Sequence, residues 1–266
     1  MRLHIAGPPP RIVVDGRADN GRHGQTLNFS VPERRYDPRD PEMMDRADAD
    51  TDLLDGDLRN LRAINKWLGG LRVVRRGVAA LMTRTAPEAG IDVLDLATGS
   101  ADYPVDLAKR MRQSGRSVRV VAVDKNPFMV EIAQKRTAEF PEITVDEMDI
   151  RALPFPDGSF DIVLCSSAIH HLSREEALHL LADMNRIARI GFVVNDLDRS
   201  RAGAWAAWLY GHLSTSNPIT RYDSYLSMLR AFTMDELAAM THEAGVRSFT
   251  ISREAFFRLL LVGVKS

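Results

Sequence analysis

Residues 91–103, Ile-Asp-Val-Leu-Asp-Leu-Ala-Thr-Gly-Ser-Ala-Asp-Tyr, decide the fold of this chain. An apolar run ends there at an acid and a group of small residues, and the amphipathic segment Pro104–Met111 follows. A parallel strand passes into a helix in this way around a nucleotide-like ligand. The same pattern also occurs where a helix packs closely on a sheet, so the loop alone leaves both interpretations open.

Two further apolar segments favour the ligand-binding interpretation. Val118–Val123 ends in Asp124, about twenty residues after the loop, where a carboxylate can accept hydrogen bonds from a ribose diol. Phe160–Ser166 is a third buried strand and leads into Ile169-His170-His171-Leu172. Three parallel strands ending at one edge of a sheet, with an acid after the second, predict an adenosine site.

These motifs resemble those of the class I S-adenosylmethionine-dependent methyltransferases over roughly residues 90–196. Asp95–Ala101 is similar to the glycine-rich first motif, Asp124 to the ribose-binding acid, Met148–Ile150 to the segment that flanks the adenine, and Phe160–Val163 to the fourth strand. The resemblance implies an α/β, Rossmann-like sheet of seven strands with S-adenosyl-L-methionine as cofactor. The cofactor-binding residues that it implies are Asp95, Ala97, Thr98, Gly99, Asp124, Lys125, Asp149, Ile150 and Ser166.

Within this class the sequence is most similar to the ubiquinone and menaquinone biosynthesis type. Residues 60–69 and 195–200 further resemble bacterial methyltransferases often encoded beside type III polyketide synthases. These resemblances imply methyl transfer to a small, largely apolar aromatic or polyketide metabolite, with a phenolic or enolic oxygen favoured over a carbon of a quinone-type ring. A subunit that binds S-adenosylmethionine without transferring the methyl group is the alternative. A nicotinamide dehydrogenase is disfavoured, because the loop lacks the Gly-x-Gly-x-x-Gly spacing.

Two features depart from the family pattern. Ala97 and Ala101 stand where glycine is usual, so the loop has less freedom to adopt positive φ. The segment Ile187–Gly191 runs straight into the fifth strand without the usual turn of proline and two glycines. This predicts a shorter connection at the lower rim of the sheet and an unchanged cofactor loop.

Composition limits the possible partners. The formal net charge of the 266 residues is −1, which gives no electrostatic reason to expect nucleic acid or an anionic membrane surface as a partner. No segment approaches the roughly 18 consecutive apolar residues of a membrane span. Cys165 is the single cysteine and lies in a predicted buried strand, which excludes an internal disulfide and favours the cytoplasm. A small neutral or weakly acidic substrate fits these features, and a homodimer is left open.

The chain divides into an extension, a lid and a catalytic domain. Residues 1–40 are predicted to be a flexible extension without function, residues 41–88 a helical lid, and residues 89–266 the methyltransferase domain with an insertion at about 199–232. The lid is a helical pair broken at Gly69-Gly70. Lid and insertion offer candidate substrate-binding residues, namely Asn65, Trp67, Trp205 and Tyr222, although aromatic residues at such spacings are also ordinary core. The last two strands are predicted over 246–253 and 256–264.

His170 and His171 are the candidate catalytic residues, because they follow the fourth strand at the edge where the transferred methyl group is expected. Adjacent residues of a helix point about 100° apart, so only one can face a given substrate atom. We prefer His170 as the base, because Ile169–Ser173 resembles the place where plant phenolic O-methyltransferases carry their catalytic histidine. Asp196 is a candidate partner for the substrate or for a catalytic group. No metal ligand is predicted, because the fourth strand ends in Cys165-Ser166-Ser167 without a carboxylate.

Overall fold

The computed structural model describes residues 31–46, 50–86 and 88–265, and within them the chain forms a seven-stranded sheet with helices on both faces. The strands lie in the order β3-β2-β1-β4-β5-β7-β6, and only β7 runs antiparallel to its neighbours. This confirms the predicted α/β class. The strands are β1 Ile91–Leu96, β2 Val118–Asp124, β3 Ile143–Glu147, β4 Phe160–Ser166, β5 Ala188–Leu197, β6 Phe249–Glu254 and β7 Arg258–Val264.

Eight α-helices and two short 3-10 turns connect these strands in the described residues. The helices are α1 Thr51–Trp67, α2 Gly70–Met82, α3 Asp102–Gln113, α4 Pro127–Thr137, α5 Arg174–Ile187, α6 Arg201–Ser214, α7 Pro218–Arg230 and α8 Met234–Glu243. The 3-10 turns are Met43–Asp45 and Ile169–His171. No helix in the described part of the chain combines the length and the apolar character that crossing a membrane requires.

The sheet is buried on both faces, as a parallel sheet between helices must be. Successive side chains of β1 alternate between two cores: Leu94 and Leu96 pack with α5 and α8, whereas Val93 packs with α2 and α3. Strands that are apolar on both faces read as continuous hydrophobic runs, which is why β1, β2 and β4 were recognisable in the sequence. The sheet therefore presents its polar residues at its edges and strand ends.

The connections around β5 follow the sequence closely. Helix α5 ends at Ile187 and β5 begins at Ala188, which confirms the predicted short connection. Helices α6 and α7 form the insertion after β5. The break between α1 and α2 occurs where predicted, with Gly69 at a φ of 83°. Strand β6 begins at Phe249, three residues later than expected, and ends at Glu254. Strand β7 begins two residues later than expected, because Phe256 and Phe257 have φ values of 61° and 55° and belong to the turn before it.

Residues 31–46 lie against the fold. The sequence places residues 1–40 in a flexible extension; residues 1–30 lie outside the described part of the chain, but residues 31–40 make specific contacts. The Arg34 side chain donates to the Leu172 carbonyl at 2.6 Å and to the Arg230 carbonyl at 2.6 Å, and the Arg35 amide donates to the Leu229 carbonyl at 3.0 Å. The hydrogen bonds of Arg34 could not be predicted from the sequence, because residues 31–40 show little periodicity.

A substitution at Gly77 tests how closely α2 packs on the sheet. A Cβ at this position would lie 2.6 Å from Val193 Cγ1, so Gly77→Ala forces the helix away from β5. Alanine normally stabilises a helix by about 1 kcal/mol relative to glycine, but overpacking costs about 1–3 kcal/mol. We expect Gly77→Ala to lower the free energy of unfolding, measured by urea denaturation. The exposed Ala79→Gly in the same helix is the control and should show the ordinary loss of helix propensity. A stabilised Gly77→Ala protein would contradict this packing.

Candidate active site

The loop after β1 is built from three residues in the left-handed region. Ala97, Gly99 and Ala101 have φ values of 53°, 54° and 57°, so the two alanines occupy conformations that glycine adopts more readily. The Thr98 hydroxyl donates to Asp95 Oδ2 at 2.6 Å, and the Thr98 amide donates to the Val123 carbonyl at 2.9 Å. The loop thus keeps the open shape of a glycine-rich turn despite its alanines.

Asp95 lies beneath this loop and does not line the cavity above it. Its carboxyl group is buried, and burial raises its pKa to about 7, although the Thr98 hydrogen bond acts in the opposite direction. Asp95 was predicted to bind the cofactor or to orient the loop. Asp95 contacts Thr98 and does not line the cavity, which favours the role of orienting the loop.

Asp124 lies at the end of β2 and lines the cavity. Its two carboxylate oxygens accept hydrogen bonds from the Gly99 amide at 2.9 Å and the Asn126 amide at 3.0 Å. Burial raises the pKa of this carboxyl group, and the two backbone hydrogen bonds oppose that shift. Each oxygen retains acceptor capacity for a diol. Asp124 therefore both fastens the loop and presents a carboxylate to a ligand.

Asp149 and Ile150 also line the cavity, on the side of β3. Asp149 accepts from the Arg151 amide at 2.9 Å and from Arg151 Nε at 3.0 Å, so it caps its own turn as well. Lys125 contacts Asp45 Oδ1 at 3.5 Å. Ser166, at the end of β4, accepts a hydrogen bond from Asn195 Nδ2 at 2.7 Å. All of the predicted cofactor residues except Asp95 thus lie at one cavity.

The cavity has a volume of about 620 Å³ and follows the carboxyl ends of the parallel strands. A space of this size accommodates a ligand of drug-like dimensions. The residues present fit an adenosine-bearing cofactor, with a loop of left-handed residues, a carboxylate at the end of β2 and an apolar side chain beside it. Away from the cofactor loop the wall includes Glu42, Asp45, Leu61, Ile64, Asn65, Tyr103, His170, His171, Tyr210, Phe256, Phe257 and Arg258.

His170 is held in place by Asp196. Its Nδ1 lies 2.6 Å from Asp196 Oδ1, and both side chains are buried. Burial alone would raise the pKa of Asp196, but His170 and the Leu197 amide lower it overall. Its Nε2 lies 3.8 Å from Glu42 Oε1, and the side chain lines the cavity. The imidazole therefore lies at the cavity between two carboxylates.

His171 lies in a different electrostatic environment from its neighbour. Its Nδ1 lies 2.8 Å from Asp45 Oδ2 without the alignment of a hydrogen bond, and its Nε2 lies 3.8 Å from Glu42 Oε2. Burial alone would lower the pKa of His171, but Glu42 and Asp45 raise it to about 9. His171 is therefore a cation at neutral pH, and a protonated imidazole cannot serve as the base.

Glu42, His170 and His171 together form a group whose donor atoms lie within 4.8 Å of one another, a set that could hold a metal ion. The sequence predicted no metal ligand and did not anticipate the approach of Glu42. Glu42 also accepts a hydrogen bond from the Ser227 hydroxyl at 2.9 Å. Without a metal ion, a proton on His171 balances part of the negative charge of this group.

Three of the predicted substrate-binding residues do not reach the cavity. Trp67, Trp205 and Tyr222 are 73%, 64% and 41% exposed and point outward. The helical spacing identified amphipathic helices, but it did not show which side chains face inward. Asn65 does line the cavity, where it accepts from the Tyr103 hydroxyl at 3.1 Å and donates to Asp102 at 3.2 Å. Asp196 is buried behind His170 and acts as its partner instead of touching the substrate.

Several residues of the site gave no signal in the sequence. Glu42 and Asp45 fall at the start of the predicted helical lid, and no pattern there showed that the path of residues 31–46 brings them to the histidines. Phe256, Phe257 and Arg258 were assigned to the start of the last strand, whereas the turn before β7 directs them to the cavity. The two consecutive positive φ values at Phe256 and Phe257 could not be predicted, because aromatic residues rarely adopt them.

Comparisons with known proteins agree with this geometry. Residues 93–191 match the family model described as a methyltransferase domain. The fold is similar to that of the CurJ carbon methyltransferase, with a TM-score of 0.61 at 15% identity over 83% of this chain and 62% of the other. It is also similar to magnesium protoporphyrin IX methyltransferase from Synechocystis PCC 6803 with bound SAH, with a TM-score of 0.53 at 20% identity over 74% and 84% of the two chains. Residues 93–191 thus match a methyltransferase domain, and these solved structures share the fold.

Among curated proteins, the chain is similar to demethylmenaquinone methyltransferases. It is 35% identical to that of Deinococcus radiodurans over 125 residues, which are 47% of this chain and 48% of the relative. It is 28% identical to that of Lysinibacillus sphaericus over 121 residues, which are 46% and 50% of the two chains. The chain thus spans about half the length of the curated relatives that it matches, and the similarity is that of the methyltransferase domain.

Asp124 provides a direct test of the cofactor site. We expect Asp124→Ala to weaken the binding of S-adenosylhomocysteine about tenfold or more, because the change removes the ribose acceptor and releases the Gly99 amide. Isothermal titration calorimetry measures the affinity, and circular dichroism checks the fold. Asp146→Ala, at an exposed position of β3, is the control for loss of a carboxylate at the same side of the sheet. An unchanged affinity in a folded Asp124→Ala protein would exclude this role.

Glu42 provides a test of the charge on His171. Glu42→Gln removes a negative charge, so we expect the pKa of His171 to fall from about 9 by more than one unit. Histidine NMR titration measures the shift, with the exposed Glu131→Gln as the control that leaves it unchanged. The pKa of His171 is higher in the folded protein than its value of about 6.5 in the unfolded chain, so binding of a proton to His171 stabilises the fold. This stabilisation is fully present below about pH 6.5 and is lost as the pH rises through about 9. The loss of stability over this range should be smaller in Glu42→Gln.

Proposed function

We propose that this protein transfers the methyl group of S-adenosylmethionine to a small aromatic or polyketide metabolite, at a phenolic or enolic oxygen. The observation that carries the proposal is His170, which lines the cavity and whose Nδ1 is held 2.6 Å from Asp196 Oδ1. An acceptor that arrives protonated needs such a group. A phenol with a pKa of about 10 is mostly protonated at neutral pH, so a nearby imidazole accelerates its attack.

The cofactor supplies an electrophilic methyl group on a sulfonium when it is bound. Asp124 would hold the ribose, Ile150 would lie beside the adenine, and the loop Ala97–Gly99 would pass around the remainder. Much of the catalysis in such a displacement comes from positioning, which can supply about 7–11 kcal/mol of the barrier. His170 receives the proton of the acceptor hydroxyl at Nε2, and the ionised Asp196 stabilises the imidazolium that results.

We propose that α1 and the segment 31–46 form the lid over the acceptor, whereas α2 of the predicted lid packs on the face of the sheet. Leu58, Leu61 and Ile64 of α1 and Tyr36 of the segment line the cavity opposite the strand ends. An apolar cover excludes water from the reaction and strengthens the electrostatic contacts beneath it. Tyr210 of the insertion adds an aromatic surface for a flat ligand. This composition supports an apolar acceptor such as a polyketide-derived aromatic compound.

The resemblance to methyltransferases encoded beside type III polyketide synthases supports the same acceptor class, and the demethylmenaquinone methyltransferases suggest a quinone-type ring carbon as the second candidate. Attack by a ring carbon needs a base after the methyl group has been transferred, so the same histidine serves either reaction. The buried free thiol of Cys165 supports the reducing cytoplasm as its setting.

The experiment is an assay of phenolic, enolic and quinol acceptors with S-adenosylmethionine labelled with carbon-13 in the methyl group. The carbon spectrum of the product distinguishes an O-methyl from a C-methyl group, whereas its mass does not. Methyl transfer to none of these acceptors by a protein that binds the cofactor would favour the non-catalytic alternative.

His170 is tested by kinetics in the same assay. We expect His170→Gln to lower kcat about a hundredfold or more and to leave the affinity for S-adenosylhomocysteine unchanged, because glutamine cannot accept the proton. Asp196→Asn should lower kcat less, since it leaves the imidazole but loses its orienting charge. His242→Gln, exposed on α8, is the control. Retention of kcat within about tenfold in His170→Gln would assign the base to another group.

A further inference from the structure

Arg258 is a buried cation at the cavity that the proposed mechanism does not use. It is the first residue of β7, its side chain is only 3% exposed, and it lines the cavity. Its Nε donates to the Leu68 carbonyl at 3.3 Å, and its Nη1 is buried without a hydrogen-bond partner among the described residues. Within the same residues no carboxylate lies within 4.0 Å of its guanidinium.

The other buried arginines of the described chain differ in this respect. Arg199 Nη2 lies 2.6 Å from Glu236, and Arg230 Nη1 lies 3.9 Å from Glu42. A guanidinium does not lose its proton in a protein, so burial cannot neutralise it. Burying a charge without a partner is costly. A cation left in this state at a ligand cavity is suited to an anion that arrives with the ligand.

The turn before β7 places aromatic side chains next to this cation. Phe256 and Phe257 precede Arg258, line the cavity and have positive φ, a conformation that is costly for bulky residues and is retained where the surroundings hold it. The Asp198 amide fixes the turn by donating to the Phe257 carbonyl at 2.8 Å. The turn therefore brings two rings and a guanidinium to one wall, which is a surface for an aromatic molecule with an anionic group.

The position of Arg258 in the sheet indicates which ligand carries the anion. Arg258 pairs in register with Leu197, the residue after Asp196, so it lies beside the strand that holds His170. Asp124 is on β2, four strand spacings away, which is roughly 19 Å at the usual separation of strands. The backbone of Arg258 is thus on the side of the cavity where the acceptor is proposed to meet its base, several strands from Asp124.

We infer that Arg258 binds a carboxylate of the methyl acceptor, so that the substrates are aromatic or polyketide acids with a free hydroxyl group. This inference rests on the proposed function, since it assigns the acceptor to the side of His170. A carboxylate matches the planar guanidinium in a bidentate contact, and the rings of Phe256 and Phe257 pack against the aromatic part. The acceptors are thus aromatic compounds that carry a carboxylate, and not apolar aromatic compounds in general.

The test compares each acid with its neutral carboxamide in binding to the complex of the full chain with S-adenosylhomocysteine. The probes are salicylate with salicylamide, and hydroxynaphthoates with their amides, titrated by calorimetry. We expect at least one acid to bind about tenfold or more tightly than its amide, because the amide cannot neutralise Arg258. If no acid of the panel binds more tightly than its amide, the inference is wrong.

Variants of Arg258 identify the residue responsible. Arg258→Gln should abolish the preference for the acid and leave the affinity for S-adenosylhomocysteine unchanged, whereas Arg258→Lys should retain part of the preference through its charge. Arg247→Gln, at an exposed arginine just before β6, is the control and should retain the full preference. If Arg258→Gln folds poorly, the Lys variant and the wild-type comparison still decide the question.

Two other results have different meanings. Loss of S-adenosylhomocysteine affinity in Arg258→Gln, with the acid preference intact, would assign the cation to the carboxylate of the cofactor and overturn the inference. A wild-type protein that binds the acids selectively but transfers no methyl group to any of them would overturn the proposed function while retaining the anion site. The two proposals can therefore fail separately.

Discussion

The shared edge at which β1, β2, β4 and β5 end is the constraint on which the site depends. Parallel strands connected by helices bring their carboxyl ends to one side, so the residues that follow each strand meet there although they are far apart in sequence. Asp124, Ser166 and Asp196 lie along this edge on three different strands. The hydrogen bond between Asp95 and Thr98 closes the first loop beneath it and keeps the edge open to a ligand.

Carboxylates face both histidines at the cavity. Asp196 lies 2.6 Å from His170 Nδ1, and its pKa is lowered by His170 and by the Leu197 amide although burial acts in the opposite direction. Glu42 and Asp45 raise the pKa of His171 to about 9, which keeps this side chain cationic at neutral pH. The two adjacent histidines thus have different carboxylate partners, although Glu42 lies 3.8 Å from both.

The segment 31–46 completes this arrangement from outside the sheet. Arg34 fastens it to the carbonyls of Leu172 and Arg230, and Asp223 of α7 accepts from the amides of Met43 and Met44 at 2.8 and 3.0 Å. These contacts bring Glu42 to the histidines. The segment 31–46, helix α7 and the strand ends therefore depend on one another, because Glu42 of the segment raises the pKa of His171.

The sequence by itself determined the features that depend on neighbours along the chain. The strands β1, β2 and β4, the loop with Asp124, the break at Gly69 and the seven-stranded class all followed from local apolar runs, small residues and spacing, and the structure agrees with them. Local pattern sufficed there because a strand buried on both faces must be apolar throughout and a ligand loop must be small.

Only the tertiary structure decided which side chains meet at the cavity. Helical periodicity shows that a helix has an apolar face, but it does not show which neighbour covers that face, so Trp67 and Trp205 were assigned inward and lie outward. Glu42 and His170 are far apart in the chain, and no local pattern records their approach. Arg258 reaches the cavity after a turn with two aromatic residues at positive φ, a conformation that bulky residues rarely adopt and that no local pattern predicts.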